Sequence, residues 1–322
     1  MSPDDAATTS STDNTDSTDS TEKRSAVEIG LVDLFDGGAR RDPGFMATFA
    51  RTAEELGFSG IWVPEHLMFF DEYSSAYPYP NHPSADDPDR LESHNKTVGG
   101  TAQVEAADDQ GLLDVLQTAA ELCRATTRLR VGASVMILPI RNPRTLPREL
   151  ATLAELTAGR FDLGVGVGWA SEEVEACESV FKTRGRRTTA YLHDLTERWG
   201  EGVDSVGHPV PRLLVAGHSP AALRRAATAA TGWYPYNLTI SEFTEHHATY
   251  CRLLEEAGRD RSEQHAVAGV RFTGDLTALR GFVERYAEAG ADGVNISLRL
   301  DDDGYADTMA EVSDVLNLAV AA

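Results

Sequence analysis

From residue 27 onward, short apolar runs alternate with longer stretches whose apolar positions recur every three or four residues. These are the signatures of buried strands and of helices with one apolar face. Residues 27–34 predict a first strand and 43–56 a first helix, with Phe45, Phe49 and Ala53 on one side and Gly57 as its stop. A second strand follows at 60–64. Helix, strand and helix come next at 112–123, 129–137 and 143–157, then a strand at 161–166 and helical segments near 172–178 and 188–198. The remainder predicts strands at 213–216, 232–236, 265–272 and 293–298, with helices at 220–231, 241–257, 276–289 and 305–319. Eight strand–helix steps in alternation imply a parallel sheet with covered faces, and eight repeats point to one closed (β/α)8 TIM barrel. An open doubly wound sheet is the competing topology, because the strands at 213–216 and 232–236 are very short. In a barrel, chemistry sits where strands end and run into the following helices.

Two segments break the alternation. Residues 2–25 are built from Ser, Thr, Asp and Ala with no aromatic residue, too little apolar surface to offset the entropy of ordering. The expectation is a disordered tail at 1–24 ahead of a barrel domain at 25–322. Residues 69–111 are polar and rich in Pro, Asp and Tyr, and a loop this long inside a compact domain is either functional or disordered.

Composition narrows the function classes. The formal charge is −22, from 51 acidic against 29 basic residues, which argues against nucleic acid and anionic membranes as partners. Three of the 29 basic residues are lysine, a balance that suits either a high-salt interior or a GC-rich genome. No apolar run approaches the roughly 20 residues that span a bilayer, and the tail lacks the apolar stretch of a secretory signal. Cys123, Cys177 and Cys251 lie far apart without metal-like spacing, which fits a reducing cytoplasm and predicts no metal site.

Four segments could carry chemistry. Glu65 and His66 end the second strand, where an imidazole can pass a proton; equally, both can serve to satisfy buried backbone groups. Gly164-Val165-Gly166-Val167-Gly168-Trp169 ends the fourth strand. Tryptophan stands where a dinucleotide fingerprint needs its last glycine, so these glycines read as room for a flat ligand or a neighbouring backbone. Trp169 is either a pocket wall or packing. Gly217-His218-Ser219 precede a helix, giving an anion site at its N-terminus or an ordinary cap. Arg184, Arg186 and Arg187 cluster in an acidic chain, to orient a helix or to hold an anion, with the structural role favoured.

Taken together, these segments resemble the luciferase-like monooxygenase family, in particular its coenzyme F-420-dependent branch. The block running from Leu138-Pro139-Ile140-Arg141-Asn142-Pro143 through Glu149-Leu150-Ala151-Thr152-Leu153 to Gly159-Arg160-Phe161 and Trp169 carries most of the likeness. It is joined by 57–66, by Gly217-His218-Ser219-Pro220-Ala221-Ala222-Leu223-Arg224-Arg225-Ala226 and by Gly232-Trp233-Tyr234-Pro235, so that it covers about residues 26–320. The resemblance implies a luciferase-like barrel with a deazaflavin (coenzyme F-420), or alternatively FMN, at its C-terminal mouth. It implies a non-prolyl cis peptide at Ser134–Val135 behind the ring and a phosphate site at Gly217, His218 and Ser219. His66 would exchange a proton, Glu65 would be its partner in catalysis, and Trp62, Gly166, Gly168 and Trp169 would border the cofactor. The implied reaction is hydride transfer to or from a small organic substrate. The alternatives are an FMN-dependent monooxygenase using molecular oxygen, or a non-catalytic cofactor-binding barrel. A homodimer through helices is the expected assembly. Three departures stand out: the bridge at 201–211 is shorter than is usual in the family, 73–110 is longer, and Thr231 replaces an acidic residue before Gly232-Trp233.

Overall fold

A computed structural model of the chain describes residues 27–35, 38–70, 73–75, 97–98, 101–102, 112–199, 210–298 and 300–318. Eight parallel strands form the centre: β1 (Glu28–Val32), β2 (Gly60–Val63), β3 (Arg130–Ala133), β4 (Phe161–Gly166), β5 (Arg212–Ala216), β6 (Gly232–Tyr234), β7 (His265–Arg271) and β8 (Gly293–Ser297). Each pairs with the next in chain order and β8 pairs with β1, which closes the barrel and rules out the open sheet. The helices are α1 (Pro43–Glu55), α2 (Val115–Ala125), α3 (Leu146–Thr157), α4 (Ser171–Ala176), α5 (Arg184–Trp199), α6 (Pro220–Ala229), α7 (Ile240–Glu256), α8 (Leu279–Glu288) and α9 (Tyr305–Leu316). Asp42, Asp114 and Ser219 cap α1, α2 and α6 with side-chain oxygens, and Thr239 with Glu242 forms a capping box on α7. Two-residue strands at Thr97–Val98 and Thr101–Ala102 pair with each other inside the long segment after β2. The tail expected at 1–24 lies outside the described residues. Among the described residues, no helix is long and apolar enough to cross a membrane.

Three predicted elements change. The strand expected at 129–137 is broken by a cis peptide between Ser134 and Val135, and resumes as Met136–Ile137 beside β4. The helix expected from 188 begins four residues earlier, at Arg184, so that its first turn reaches the barrel mouth. The helix expected from 143 begins at Leu146, after a 3-10 turn at Leu138–Ile140.

Strand residues alternate between two destinations. Ile29, Leu31, Ile61, Val63, Leu163, Val165, Val294 and Ile296 point outward and join the core shared with the helices. The inward set stacks in layers. At the bottom, the buried Asp162 binds Arg130 (2.9 Å to Nε) and Arg212 (2.7 Å to Nη2), and Arg212 reaches Glu28 at 3.0 Å. In the middle, the rings of Trp62 and Tyr234 stack with centroids 5.0 Å apart and planes 14° from parallel. Room for Trp62 comes from glycine: a Cβ on Gly132 would stand 2.4 Å from its ring, and one on Gly30 would stand 2.9 Å away. The top layer, with Val32, Ser134, Gly166, Ala216 and Ser297, is smaller apart from Arg271. The barrel is therefore filled below and open above.

Candidate active site

Above the Trp62–Tyr234 layer, the strand ends enclose a cavity of about 480 Å³, within the range of small-molecule and cofactor sites. Its walls combine apolar side chains (Val32, Leu34, Leu112, Val135, Ile137, Val167) with His66, Arg184, His218 and Arg225. Glu65, His66, Ser134, Val135, Gly166, Gly168, Trp169, Gly217, His218 and Ser219 all line it. Trp62 is placed differently: it fills the barrel interior behind Tyr234, and Tyr234 takes the place at the cavity that the sequence reading assigned to Trp62. A large residue at that strand position points inward, one layer below the mouth.

The broken third strand and the glycines of β4 fit each other. Ser134 Oγ lies 2.9 Å from the Tyr234 hydroxyl, which fixes the residue before the cis bond. A Cβ on Gly166 would come within 2.8 Å of Val135 Cγ2, and one on Gly168 (φ +75°) within 2.9 Å of Ile137 Cγ2. The space these glycines leave is thus first taken by the neighbouring strand's own side chains.

His66 is held by a carboxylate that the sequence reading missed. Its Nδ1 lies 2.8 Å from Glu173 Oε2, and Glu173 Oε1 accepts the Leu67 N–H at 2.7 Å. Because a carboxylate only accepts, Nδ1 carries the proton in this pair and Nε2 is left as the basic nitrogen. The imidazole also packs edge-on against Trp169, with centroids 6.1 Å apart. Glu173 is buried at the start of a six-residue helix, just after Gly168-Trp169. Two adjacent glutamates at that helix start were the one sequence signal for it.

Glu65, expected either to partner His66 in catalysis or to satisfy buried backbone groups, is engaged in the second way. Its buried carboxylate accepts the Ile137 N–H at 2.8 Å and pairs with Arg141, which also approaches Asp114 at 3.4 Å. With both oxygens so committed, Glu65 is a brace between the exits of the second and third strands.

A short strap crosses the aromatic wall. Glu172 Oε1 accepts from Ser74 N (2.7 Å), Ser74 Oγ (2.6 Å) and Ser75 N (3.1 Å), and Tyr73 lies against Trp169 with centroids 5.2 Å apart. Burial would raise the Glu172 carboxyl, but the bonds from Ser74 and Ser75 pull it down to about 2. Tyr77-Pro78-Tyr79-Pro80, within the stretch 73–110 that is longer than is usual in the family, lies outside the described residues.

The β5–α6 turn forms the polar corner. Gly217 adopts φ +93°, and Ser219 caps α6 by accepting the Ala222 N–H at 3.2 Å. Burial, then the nearby His246, pushes the His218 imidazole down from its ordinary value against a smaller pull from Glu242. Of the three arginines near 185, Arg184 lines this corner while Arg187 donates to Ser179 Oγ and holds its own helix. Arg225 completes the corner. It was missed because only the helical rise, not the linear sequence, brings it under Ser219.

Comparison with known proteins bears on the family and the fold. The luciferase-like monooxygenase family matches residues 98–278. An uncharacterized protein of Mycobacterium tuberculosis is 30% identical over 279 residues, covering 81% of this chain and 88% of its own length. An F420-dependent secondary alcohol dehydrogenase, solved in complex with an F420-acetone adduct, superposes with a TM-score of 0.64 at 16% identity, covering 90% of this chain and 99% of that one. A long-chain alkane monooxygenase superposes with a TM-score of 0.68 at 12% identity, covering 90% and 91%. At such identities the likeness to the solved structures is one of fold.

Proposed function

This chain belongs to the luciferase-like monooxygenase family, and from that premise we propose that it is an oxidoreductase exchanging a hydride between a deazaflavin of the coenzyme F-420 kind and a small organic substrate. The observation that carries the proposal is the meeting, in one cavity, of an imidazole oriented by a buried carboxylate, an apolar wall at Val135 and Ile137, and the start of α6. The residues present fit such a group. The apolar wall suits a flat ring, and the Ala221 amide at the start of α6, which no helix bond can satisfy, suits a phosphate together with the helix's positive end. The fold of the F420-dependent dehydrogenase named above supports the deazaflavin, while that of the alkane monooxygenase keeps FMN as the second ligand to test.

When bound, the ring supplies the hydride chemistry. The protein supplies the rest. Glu173 holds the proton on His66 Nδ1, so that Nε2 can take or return the proton that accompanies the hydride at the substrate oxygen or carbon. Val135, Ile137 and Val167 keep water from the reacting face. Glu65, Arg141 and the Ile137 amide keep the second and third strand exits in register with each other. Gly217 and Ser219 present the α6 N-terminus to the ligand's phosphate.

The test is a titration of the purified protein with coenzyme F-420 and with FMN, followed by turnover of His66→Gln. We expect selective binding of the deazaflavin. His66→Gln should then lower turnover by about 10²- to 10⁴-fold while leaving cofactor affinity nearly unchanged. Selective binding of FMN moves the activity to oxygen-dependent chemistry, and binding of neither ligand removes the proposal.

A further inference from the structure

Strand order decides what faces what across the cavity. With eight strands closed in chain order, β3 and β7 are diametrically opposed, and β7 lies two strands away from the β5–α6 corner. The apolar wall of Val135 and Ile137 stands at the exit of β3. Arg271, the last residue of β7, lines the cavity on the far side. Register fixes its direction. Arg271 pairs with Ser297 on β8, and Ser297 with Val32 on β1, so all three point inward in the top layer. Two residues below it on the same face is Gly269, where a Cβ would crowd the Tyr234 hydroxyl at 3.0 Å and the Tyr236 ring at 3.2 Å. A flat group on the Val135 wall therefore leaves the space toward β7 for a second molecule. Among the described residues that line the cavity, the one carboxylate is Glu65, which Arg141 and the Ile137 amide engage. An anion on the β7 side thus faces a guanidinium with no opposing carboxylate in that described lining, although the chain as a whole carries a formal charge of −22.

We propose that Arg271, with Ser297 beside it, anchors a carboxylate of the substrate, which makes the substrate a small organic acid whose apolar body lies against Val32 and Leu34. A carboxylate fits better than a phosphate for two reasons. The guanidinium offers two parallel N–H donors and a single charge, which match a carboxylate in shape and in charge. No helix end adds to that charge, because α8 does not begin until Leu279. The anchor rests on the cofactor reading above for what occupies the Val135 side of the cavity.

The test is a saturation-transfer NMR titration of the full chain with benzoate, benzyl alcohol and phenyl phosphate, with and without coenzyme F-420. The proteins are the wild type, Arg271→Gln, Arg271→Lys and Arg225→Gln. We expect benzoate to bind about tenfold more weakly to Arg271→Gln, with benzyl alcohol changed by less than about twofold. Arg271→Lys keeps the charge without the fork and should lose only about threefold for benzoate. Benzyl alcohol reports an intact cavity in each variant, so a folding defect does not pass for loss of the anchor. Benzoate should be indifferent to Arg225→Gln, which lies in the β5–α6 corner. If benzoate depends on Arg271 while F-420 does not bind, the acid site stands and the deazaflavin reading falls. If F-420 binds while benzoate fails to bind, ignores Arg271→Gln or responds only to Arg225→Gln, the anchor is overturned and the ring site is untouched. A preference for phenyl phosphate that depends on Arg271 overturns the carboxylate as the group recognised.

Discussion

A neutral imidazole has two tautomers, and Glu173 decides which one His66 presents to the cavity. Replacing Glu173 with Gln makes the dependence testable. The amide oxygen can still accept the Leu67 N–H, but its NH2 group then faces Nδ1 and demands the Nε2–H tautomer. In Glu173→Gln, ¹⁵N NMR should show the proton moved from Nδ1 to Nε2, with turnover down by about 10³-fold or more in a folded protein. An unchanged tautomer would falsify the assignment. A second residue-scale prediction concerns Gly132. A methyl there would stand 2.4 Å from the Trp62 ring, so Gly132→Ala should cost about 1–3 kcal/mol in urea unfolding, and Trp62→Leu should recover part of that loss. His66 was legible because strand ends in a barrel are functional positions. Glu173 was not, since it lies 107 residues away in the chain and only the closed barrel brings the two together.

Strands β1, β3, β4 and β5 are tied near their N-terminal ends by one ionic network around Asp162. Burial alone would raise this carboxyl, but the hydrogen bonds and charges of Arg212 and Arg130 outweigh it and hold it below its ordinary value of 3.8. A carboxyl whose folded value is depressed stabilises the fold fully above its unfolded value and loses that contribution as pH falls through the folded one. Acid unfolding of the wild type should therefore include a component below about pH 4 that Asp162→Asn lacks. The variant itself should be less stable by about 3 kcal/mol, because the half-buried Arg130 loses its carboxylate and Arg212 keeps only Glu28. The strap before the aromatic wall makes a smaller prediction. In Glu172→Ala, the Ser74 amide loses its acceptor, and its hydrogen exchange should quicken by about tenfold or more. Element type was readable for the barrel's strands and helices from hydrophobic period, and apart from the break in the third strand and the short strands at Thr97–Val98 and Thr101–Ala102 the errors fell at ends. Arg184 was placed outside its helix because a first turn of Arg, Gly, Arg and Arg carries no apolar signal; its contacts to Gly168 and Phe181 hold it there.

At the scale of the whole molecule, an eight-stranded barrel has no sheet edge to protect, and its ends differ in purpose. The lower end is locked by charge, and the upper end is left open by small side chains. Residues 1–24 are rich in Ser, Thr and Asp and poor in large apolar side chains. Their deletion should leave the unfolding temperature, coenzyme F-420 binding and oligomeric state unchanged, as read by calorimetry and light scattering; a loss in any of these would show that the segment serves the barrel.

The alternation of short apolar runs with amphipathic stretches pointed to a covered parallel sheet of eight strands, and the pairing of β8 with β1 decided between the barrel and the open sheet that the same pattern allows. The same pattern located the strand ends, and with them His66, the β4 glycines and the β5–α6 turn. What the linear order could not determine was which side chains share a layer inside a closed cylinder. That depends on register between strands, and register is set by the fit of large residues to small ones across the barrel. Trp62 shows the consequence: Gly30 and Gly132, on flanking strands far apart in the chain, make room for it in the interior and leave the cavity wall to Tyr234. Only tertiary structure joined Glu173 to His66 and Arg225 to Arg184, since each pair is formed by elements that meet through closure of the fold.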